Sequence, residues 1–145
     1  EAFTMVGGFP DDVIMNEDMV LAAKLLHGGR AVAYCAEAVV RHSHDYSLRQ
    51  QFRRYFDIGV FFCEHGGLLP GAATGGEGVR FALTQIGWLL RRGYLLWALR
   101  SPAESLAKFV GFHLGRHHRQ LPRAVVRSCS MHAFHFDQTA RRRAP

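Results

Sequence analysis

Cysteine is scarce in this sequence, and its pattern excludes two common ways of stabilising a small fold. The three cysteines, Cys35, Cys63 and Cys129, are odd in number and far apart, and no Cys-x-x-Cys pair occurs. A disulfide framework or a zinc ribbon needs more regular cysteine spacing, so neither is expected. The pattern is typical of a reducing compartment, and we expect a cytoplasmic location.

Long uninterrupted apolar runs are also missing. The most apolar segment, 81–99, is broken by Arg91 and Arg92 and is followed by Arg100, so we do not expect it to span a membrane. The sequence does not open with a secretory signal. It begins with Glu1 rather than Met, inside a motif, and we expect a fragment of a longer polypeptide.

Acidic residues are outnumbered by basic ones. Twelve Asp and Glu stand against eighteen Lys and Arg, which leaves a formal net charge of +6. The excess lies largely in 91–92, 116–127 and 141–143, and it favours anionic partners such as nucleotide diphosphates, lipid headgroups or nucleic acid. Nucleic acid is the least favoured of these, because no interleaved aromatic and basic motif and no zinc spacing is present.

The apolar spacing and the turn residues divide the first half of the chain into predicted elements. Residues 1–11 are expected to form a loop, and a helix is predicted over 17–27 with Asn16 as its N-cap. Two short strands are predicted at 30–35 and 38–42. The run from Ser47 to Gln50 is a capping box, which predicts a helix that ends near residue 65.

The second half is predicted to be helical. A glycine-rich linker is expected at 66–78, followed by a helix over 79–92. Ser101 and Pro102 carry the signal for another helix start, and an apolar stripe follows them. The stripe contains Leu106, Phe109, Val110, His113 and Leu114. We therefore divide the chain into a first part at 1–65, the linker at 66–78, a helical extension at 79–136 and a basic tail at 137–145.

Three groups of polar residues could build a site, and each has a simpler explanation. Glu17 and Asp18 offer a base or a metal ligand, but they also suit the positive end of a helix. His42 and His44 would point the same way from a strand, yet Mg²⁺ or Mn²⁺ also needs carboxylate or phosphate oxygens. Arg54 could neutralise a diphosphate, or it could belong to a solvated basic face.

The residues together resemble a known family. Gly7-Gly8-Phe9, Glu17-Asp18, the helix that ends at Gly28, and His42 are similar to the second half of inverting family 2 glycosyltransferases with a GT-A fold. Within that family the chain resembles bacterial rhamnosyltransferases, through the segments 42–47, 53–59, 108–111, 114–116 and 121–122. The resemblance covers residues 2 to about 136. It implies an α/β, mainly helical fold, in which the C-terminal part of a GT-A domain, short strands plus a helix, precedes a helical extension.

The resemblance also implies roles for particular residues. Asp18 would be the general base and Glu17 would position or polarise it, while His42, and less so His44, would bind a divalent cation, Mg²⁺ or Mn²⁺. The residues expected to border the substrates are Gly7, Gly8, Phe9, Gln51, Arg54 and Tyr55. The last three resemble a Gln-x-x-Arg-Trp element with Tyr in place of Trp. The family's Asp-x-Asp motif does not occur here, so we expect this chain to be inactive without a nucleotide-binding half.

The leading hypothesis is transfer of L-rhamnose from dTDP-L-rhamnose to a polysaccharide or a lipid-linked acceptor. The basic amphipathic helices predicted in the second half of the chain would suit peripheral contact with the inner face of the cell membrane. The alternative is a non-catalytic structural or assembly domain that forms homo-oligomers or binds a membrane surface.

Overall fold

The described part of the chain is built from helices. A computed structural model describes residues 1–41, 45–68 and 75–142, with the side chains of all but 75–77 and 139–142. The helices of this part are α1 (Ala2–Met5), α2 (Glu17–His27), α3 (Leu48–His65), α4 (Gly75–Arg91), α5 (Leu95–Arg116), α6 (Arg123–Cys129) and α7 (Ala133–Arg142). Two 3₁₀ turns lie at Gly66–Leu68 and His118–Gln120.

Helix α2 has the predicted bounds, and backbone groups close both of its ends. Asn16 is the N-cap in a left-handed conformation with φ 60°, and its side chain makes no capping bond. At the other end the Arg30 N–H donates to the Leu25 carbonyl at 2.9 Å. Gly29 permits this bond because its φ is 72°, which side chains disfavour.

Helix α3 begins at the predicted capping box and forms the centre of the fold. The Gln50 N–H donates to Ser47 Oγ at 3.3 Å, and the Ser47 N–H donates to Gln50 Oε1 at 2.9 Å. The buried face of α3 joins the loop before α2, α2 itself and α6 in one core. The buried members of that core are Ile14, Val20, Phe56, Val60, Phe61 and Val126.

Helices α3 and α5 approach each other closely because three glycines lie between them. Gly59, Gly111 and Gly115 are all buried. A Cβ added at Gly115 would overlap the carbonyl oxygen of Phe56, and one added at Gly111 would overlap that of Phe52. Any larger residue at these positions would therefore have to push the two backbones apart.

The strand predictions at 30–35 and 38–42 are wrong wherever the structure describes those residues. Residues 30–41 have no regular structure beyond a turn at Ala36 and Glu37. Every residue of the segment is exposed, including Tyr34 and Val40. Strands gain little stability without a sheet to join and a core to cover, and in the described residues this segment has no strand partner and covers no part of the core.

The predicted start of a helix at Ser101 is also wrong. Helix α5 begins at Leu95 and runs through Pro102 without a break. Glu104, one turn after Arg100 in the same helix, forms an ion pair with it at 2.7 Å. Because Pro102 has no N–H, the carbonyl of Ala98 loses its helical hydrogen bond. The rest of the helix keeps its hydrogen bonds, so α5 continues on both sides of the proline.

The apolar stripe predicted on α5 does not face the core. Leu106, Phe109 and Val110 are exposed, whereas Gly111 and Gly115 are the buried positions. Leu114 alone among the predicted apolar members packs against the core.

Among the described helices, none is both long and apolar enough to cross a membrane.

Candidate functional site

The loop that follows α1 is shaped by its two glycines. Gly7 and Gly8 have φ of 79° and 69°, and the Gly8 N–H donates to the Phe3 carbonyl at 2.9 Å. The Phe3 ring lies over Gly8, where an added Cβ would come within 3.1 Å of the ring. Phe9 packs edge-on against the same ring at 5.4 Å and remains half exposed. The loop therefore presents an aromatic edge and accessible backbone at Gly7.

The two carboxylates singled out by the sequence lie at the exposed start of α2. The Met19 N–H donates to Asp18 Oδ1 at 2.9 Å, which orients the Asp18 carboxylate. Met19 and Val20 pack into the core beside this exposed pair. Asp18 is thus accessible to a substrate while the backbone beneath it is held by buried neighbours.

Arg54 is oriented by a tyrosine that precedes α3. Its Nη1 donates to the Tyr46 hydroxyl at 3.3 Å, and its guanidinium carbon lies 5.6 Å from the centre of the Tyr46 ring. A planar guanidinium held in this way is suited to binding a carboxylate or a phosphate. The sequence pointed to Arg54 and gave no indication of its contact with Tyr46.

The ammonium group of Lys108, a residue of α5, lies over the ring of Tyr55. The Lys108 Nζ lies 5.7 Å from the centre of the Tyr55 ring, which is half-buried. Sequence reasoning missed Lys108 as a site residue because it is 53 positions from Tyr55 and becomes its neighbour only when α5 packs on α3. The described residues therefore place the Lys108 ammonium group over the Tyr55 ring, while Arg54 precedes Tyr55 on α3 and contacts Tyr46. Gln51 lies one turn earlier on α3 and is half-buried.

The predicted metal ligands, His42 and His44, lie outside the described residues. Among the residues that are described, no three His, Cys, Asp or Glu side chains come together in a way that could hold a metal ion. The divalent cation therefore stays a prediction.

A buried carboxylate joins α3 to the segment between α6 and α7. Asp57 is fully buried, and its Oδ2 accepts hydrogen bonds from the Met131 N–H at 2.9 Å and from His132 Nδ1–H at 3.0 Å. Arg53 Nε donates to the Ser130 carbonyl at 2.9 Å in the same region. Asp57 therefore ties the buried face of α3 to the segment that precedes α7.

A second carboxylate, Glu64, holds the end of α3 to two histidines. Glu64 Oε1 lies 3.5 Å from His118 Nε2, and Glu64 Oε2 lies 3.8 Å from His135 Nε2. Burial raises the pKa of Glu64, but the hydrogen bonds and positive charge of His118 and His135 outweigh burial and hold that pKa well below its ordinary value. His118 Nδ1–H donates to the Gly115 carbonyl at 3.0 Å, so its Nε2 carries a proton toward Glu64 only as the imidazolium.

The carboxylates of Asp57 and Glu64 stabilise the fold. Each one fastens α3 to the C-terminal helices, and each partner lies more than fifty positions later in the chain. No local pattern could have revealed such pairs. The accessible polar groups of the candidate site are instead those at the start of α2 and in the first turns of α3.

The chain is related to rhamnosyltransferases. It is 45% identical over 131 residues to the O-antigen chain rhamnosyltransferase RfbN of Salmonella typhimurium strain LT2. It is 44% identical over 131 residues to the O-antigen chain rhamnosyltransferase WbaN of Salmonella anatum. Each alignment covers 90% of this chain but only 41% of the relative, so the chain spans less than half the length of these relatives. No family model matches the chain, and no solved structure matches it.

Proposed function

We propose that this chain supplies the acceptor-activating part of an inverting, GT-A type family 2 glycosyltransferase. The proposed reaction transfers L-rhamnose from dTDP-L-rhamnose to a glycan or a lipid-linked acceptor in the cytoplasm. The observation that supports it most strongly is the 45% identity, over 90% of the chain, to a protein named as an O-antigen chain rhamnosyltransferase. The missing Asp-x-Asp motif supports the further proposal that this chain alone transfers sugar poorly.

In the proposed reaction Asp18 takes the proton from the acceptor hydroxyl. The acceptor oxygen then forms a bond to the anomeric carbon from the face opposite the diphosphate, and the bond from that carbon to the diphosphate oxygen breaks. Asp18 is suited to this role because it is exposed and because the Met19 N–H orients one of its oxygens. Glu17, its exposed neighbour, would help to position or polarise Asp18.

The departing diphosphate needs positive charge nearby. Arg54 and Lys108 would supply it: Lys108 lies over the ring of Tyr55, which would contact the sugar, and Arg54 is the preceding residue on α3. Gly7, Gly8 and Phe9 would border the acceptor. A divalent cation, Mg²⁺ or Mn²⁺, with His42 as a protein ligand, is part of the proposal and would neutralise further charge when bound.

The proposal is tested in a chimera in which this chain replaces the matching 131-residue segment of RfbN. The chimera should transfer rhamnose from dTDP-rhamnose to a lipid-linked acceptor, whereas the isolated chain should be nearly inactive. Asp18→Asn in the chimera should lower kcat at least about 100-fold, because a general base contributes roughly 10²–10⁴-fold. Asp12→Asn is the matched control, since Asp12 is an exposed carboxylate six residues earlier.

Two results would contradict the proposal. Full activity of the Asp18→Asn chimera would remove Asp18 from the chemistry. A normal transfer rate from the isolated chain would show that no further nucleotide-binding part is required.

A further inference from the structure

Helices α4 and α5 form a hairpin with a tight turn. Gly93 provides the turn with φ 76°, and the Tyr94 N–H donates to the Leu89 carbonyl at 2.9 Å. We call residues 88–100, which comprise the end of α4, this turn and the start of α5, the hairpin end. Its two helices are joined by a short hydrogen-bonded turn rather than by a long loop.

The hairpin end leaves most of its large apolar side chains exposed. Seven of them between residues 88 and 99 are exposed, from Tyr94 at 49% to Leu96 at 82%. Two are tryptophans, Trp88 and Trp97. Large apolar side chains that are exposed together in one short segment usually mark a site of contact with a partner or a membrane.

The same region carries positive charge without acidic residues of its own. From residue 78 to residue 103 there are four arginines and no Asp or Glu. The Arg92 guanidinium carbon lies 5.0 Å from the Trp88 ring, and that of Arg100 lies 5.4 Å from the Trp97 ring. Glu104 balances Arg100, so Arg91 and Arg92 carry most of the unbalanced charge.

We propose that the hairpin end inserts into the headgroup region of a membrane that contains anionic lipid. Leucine side chains would enter the boundary of the acyl chains, tryptophans would lie at the headgroup level, and Arg91 and Arg92 would bind lipid phosphates. The charges favour lipid over a second copy of this chain. A symmetric contact through this surface would bring the arginines of both copies together, and the hairpin end has no acidic residue to pair with them.

The tryptophans make the test direct, because the chain contains only two and both lie in the hairpin end. The 145-residue chain is mixed with vesicles of phosphatidylcholine alone or with vesicles of phosphatidylcholine and phosphatidylglycerol at 3:1. The tryptophan emission should shift to shorter wavelength with the anionic vesicles, and flotation should recover the chain with them. High salt should weaken the binding.

The contribution of the arginines is measured with Arg91→Gln/Arg92→Gln. Each arginine near an anionic surface is worth about a 5-fold change in partitioning, so the double variant should bind about 25-fold more weakly. The matched control is Arg119→Gln/Arg123→Gln, which removes the same charge from exposed positions near α6. The control should bind anionic vesicles nearly as well as the unaltered chain. Far-ultraviolet circular dichroism checks that both variants keep their helices.

Three results would overturn the proposal. The first is an unchanged tryptophan spectrum with anionic vesicles. The second is an equal loss of binding in the control variant, which would assign the effect to net charge. The third is a blue shift that appears without vesicles as protein concentration rises, together with a dimer in sedimentation. No nucleotide sugar is present, so these results are independent of the proposed rhamnose transfer.

Discussion

The two ends of α5 have similar apolar content and very different surroundings. Near its C-terminal end Gly111 and Gly115 lie against the backbone of α3 and are buried. Near its N-terminal end Leu95, Leu96 and Leu99 are exposed. Apolar character alone therefore does not decide burial in this helix, since Gly111 and Gly115 are buried where the backbones of α5 and α3 meet.

The two ends also differ in how their polar groups are used. At the C-terminal end His118 follows α5 and pairs with Glu64 of α3, across a large separation in sequence. At the N-terminal end the ion pair joins Arg100 to Glu104, one turn away in the same helix. Long-range pairs position α5 and the C-terminal helices on α3, while a pair within one helix supports only that helix.

The largest effect on stability is expected from Gly111→Ala, which would break the close contact between the backbones of α3 and α5. The new Cβ would overlap the Phe52 carbonyl oxygen, so we expect a loss of about 3 kcal/mol in the free energy of unfolding, measured with urea. Gly87→Ala in α4 is the matched control, because a Cβ there meets nothing within 4 Å. Helix propensity should make that control more stable by about 0.5–1 kcal/mol. Similar gains from both substitutions would contradict the close approach of α3 and α5.

Asp57→Ala should give the next largest effect. The substitution leaves the N–H of Met131 and the ring N–H of His132 without their buried acceptor. We expect a loss of about 2 kcal/mol in the free energy of unfolding. Asp12→Ala, at an exposed position, should change it by no more than about 0.5 kcal/mol. If the two variants unfold alike, Asp57 does not anchor the C-terminal segment.

Glu64→Gln should have a smaller effect that depends on pH. The pKa of Glu64 is lowered in the fold from an ordinary value of 4.5, so its ionised form stabilises the chain above that value. This stabilisation is lost as pH falls below 4.5 toward the lowered pKa. Because the site is partly exposed and screened, the difference from the unaltered chain should be about 1 kcal/mol at about pH 6. This difference in the free energy of unfolding, measured with urea, should shrink steadily between about pH 5 and about pH 3. A difference that grows on acidification would contradict a stabilising role for the ionised Glu64.

The smallest effect is expected from Leu96→Gln, at the exposed end of α5. Leu96 is 82% exposed, so without lipid the free energy of unfolding should change by no more than about 0.5 kcal/mol. Leu114→Gln is the contrasting variant on the same helix, because Leu114 packs against the core and its loss should cost about 2 kcal/mol. Equal losses at both positions in thermal melts would mean that the hairpin end is covered in solution.

Much of the helical structure was predictable because its signals are local. The capping box at Ser47 and Gln50 placed the start of α3, and the glycines after His27 placed the end of α2. Such signals act through hydrogen bonds within a few residues, so they need no knowledge of the rest of the fold. The candidate residues Asp18 and Arg54 were also named from the sequence, and their proposed roles stay predictions.

The sequence by itself thus determined where α2 and α3 form and which accessible side chains could carry chemistry. Only the tertiary structure decided that residues 30–41 stay irregular, that Asp57 is buried and that Lys108 lies on Tyr55. The reason is physical: a capping bond is made by neighbours in the chain, whereas burial and ion pairing depend on which surfaces meet. In this protein the meeting of α3 and α5 depends on glycines, whose effect appears only when another backbone lies against them.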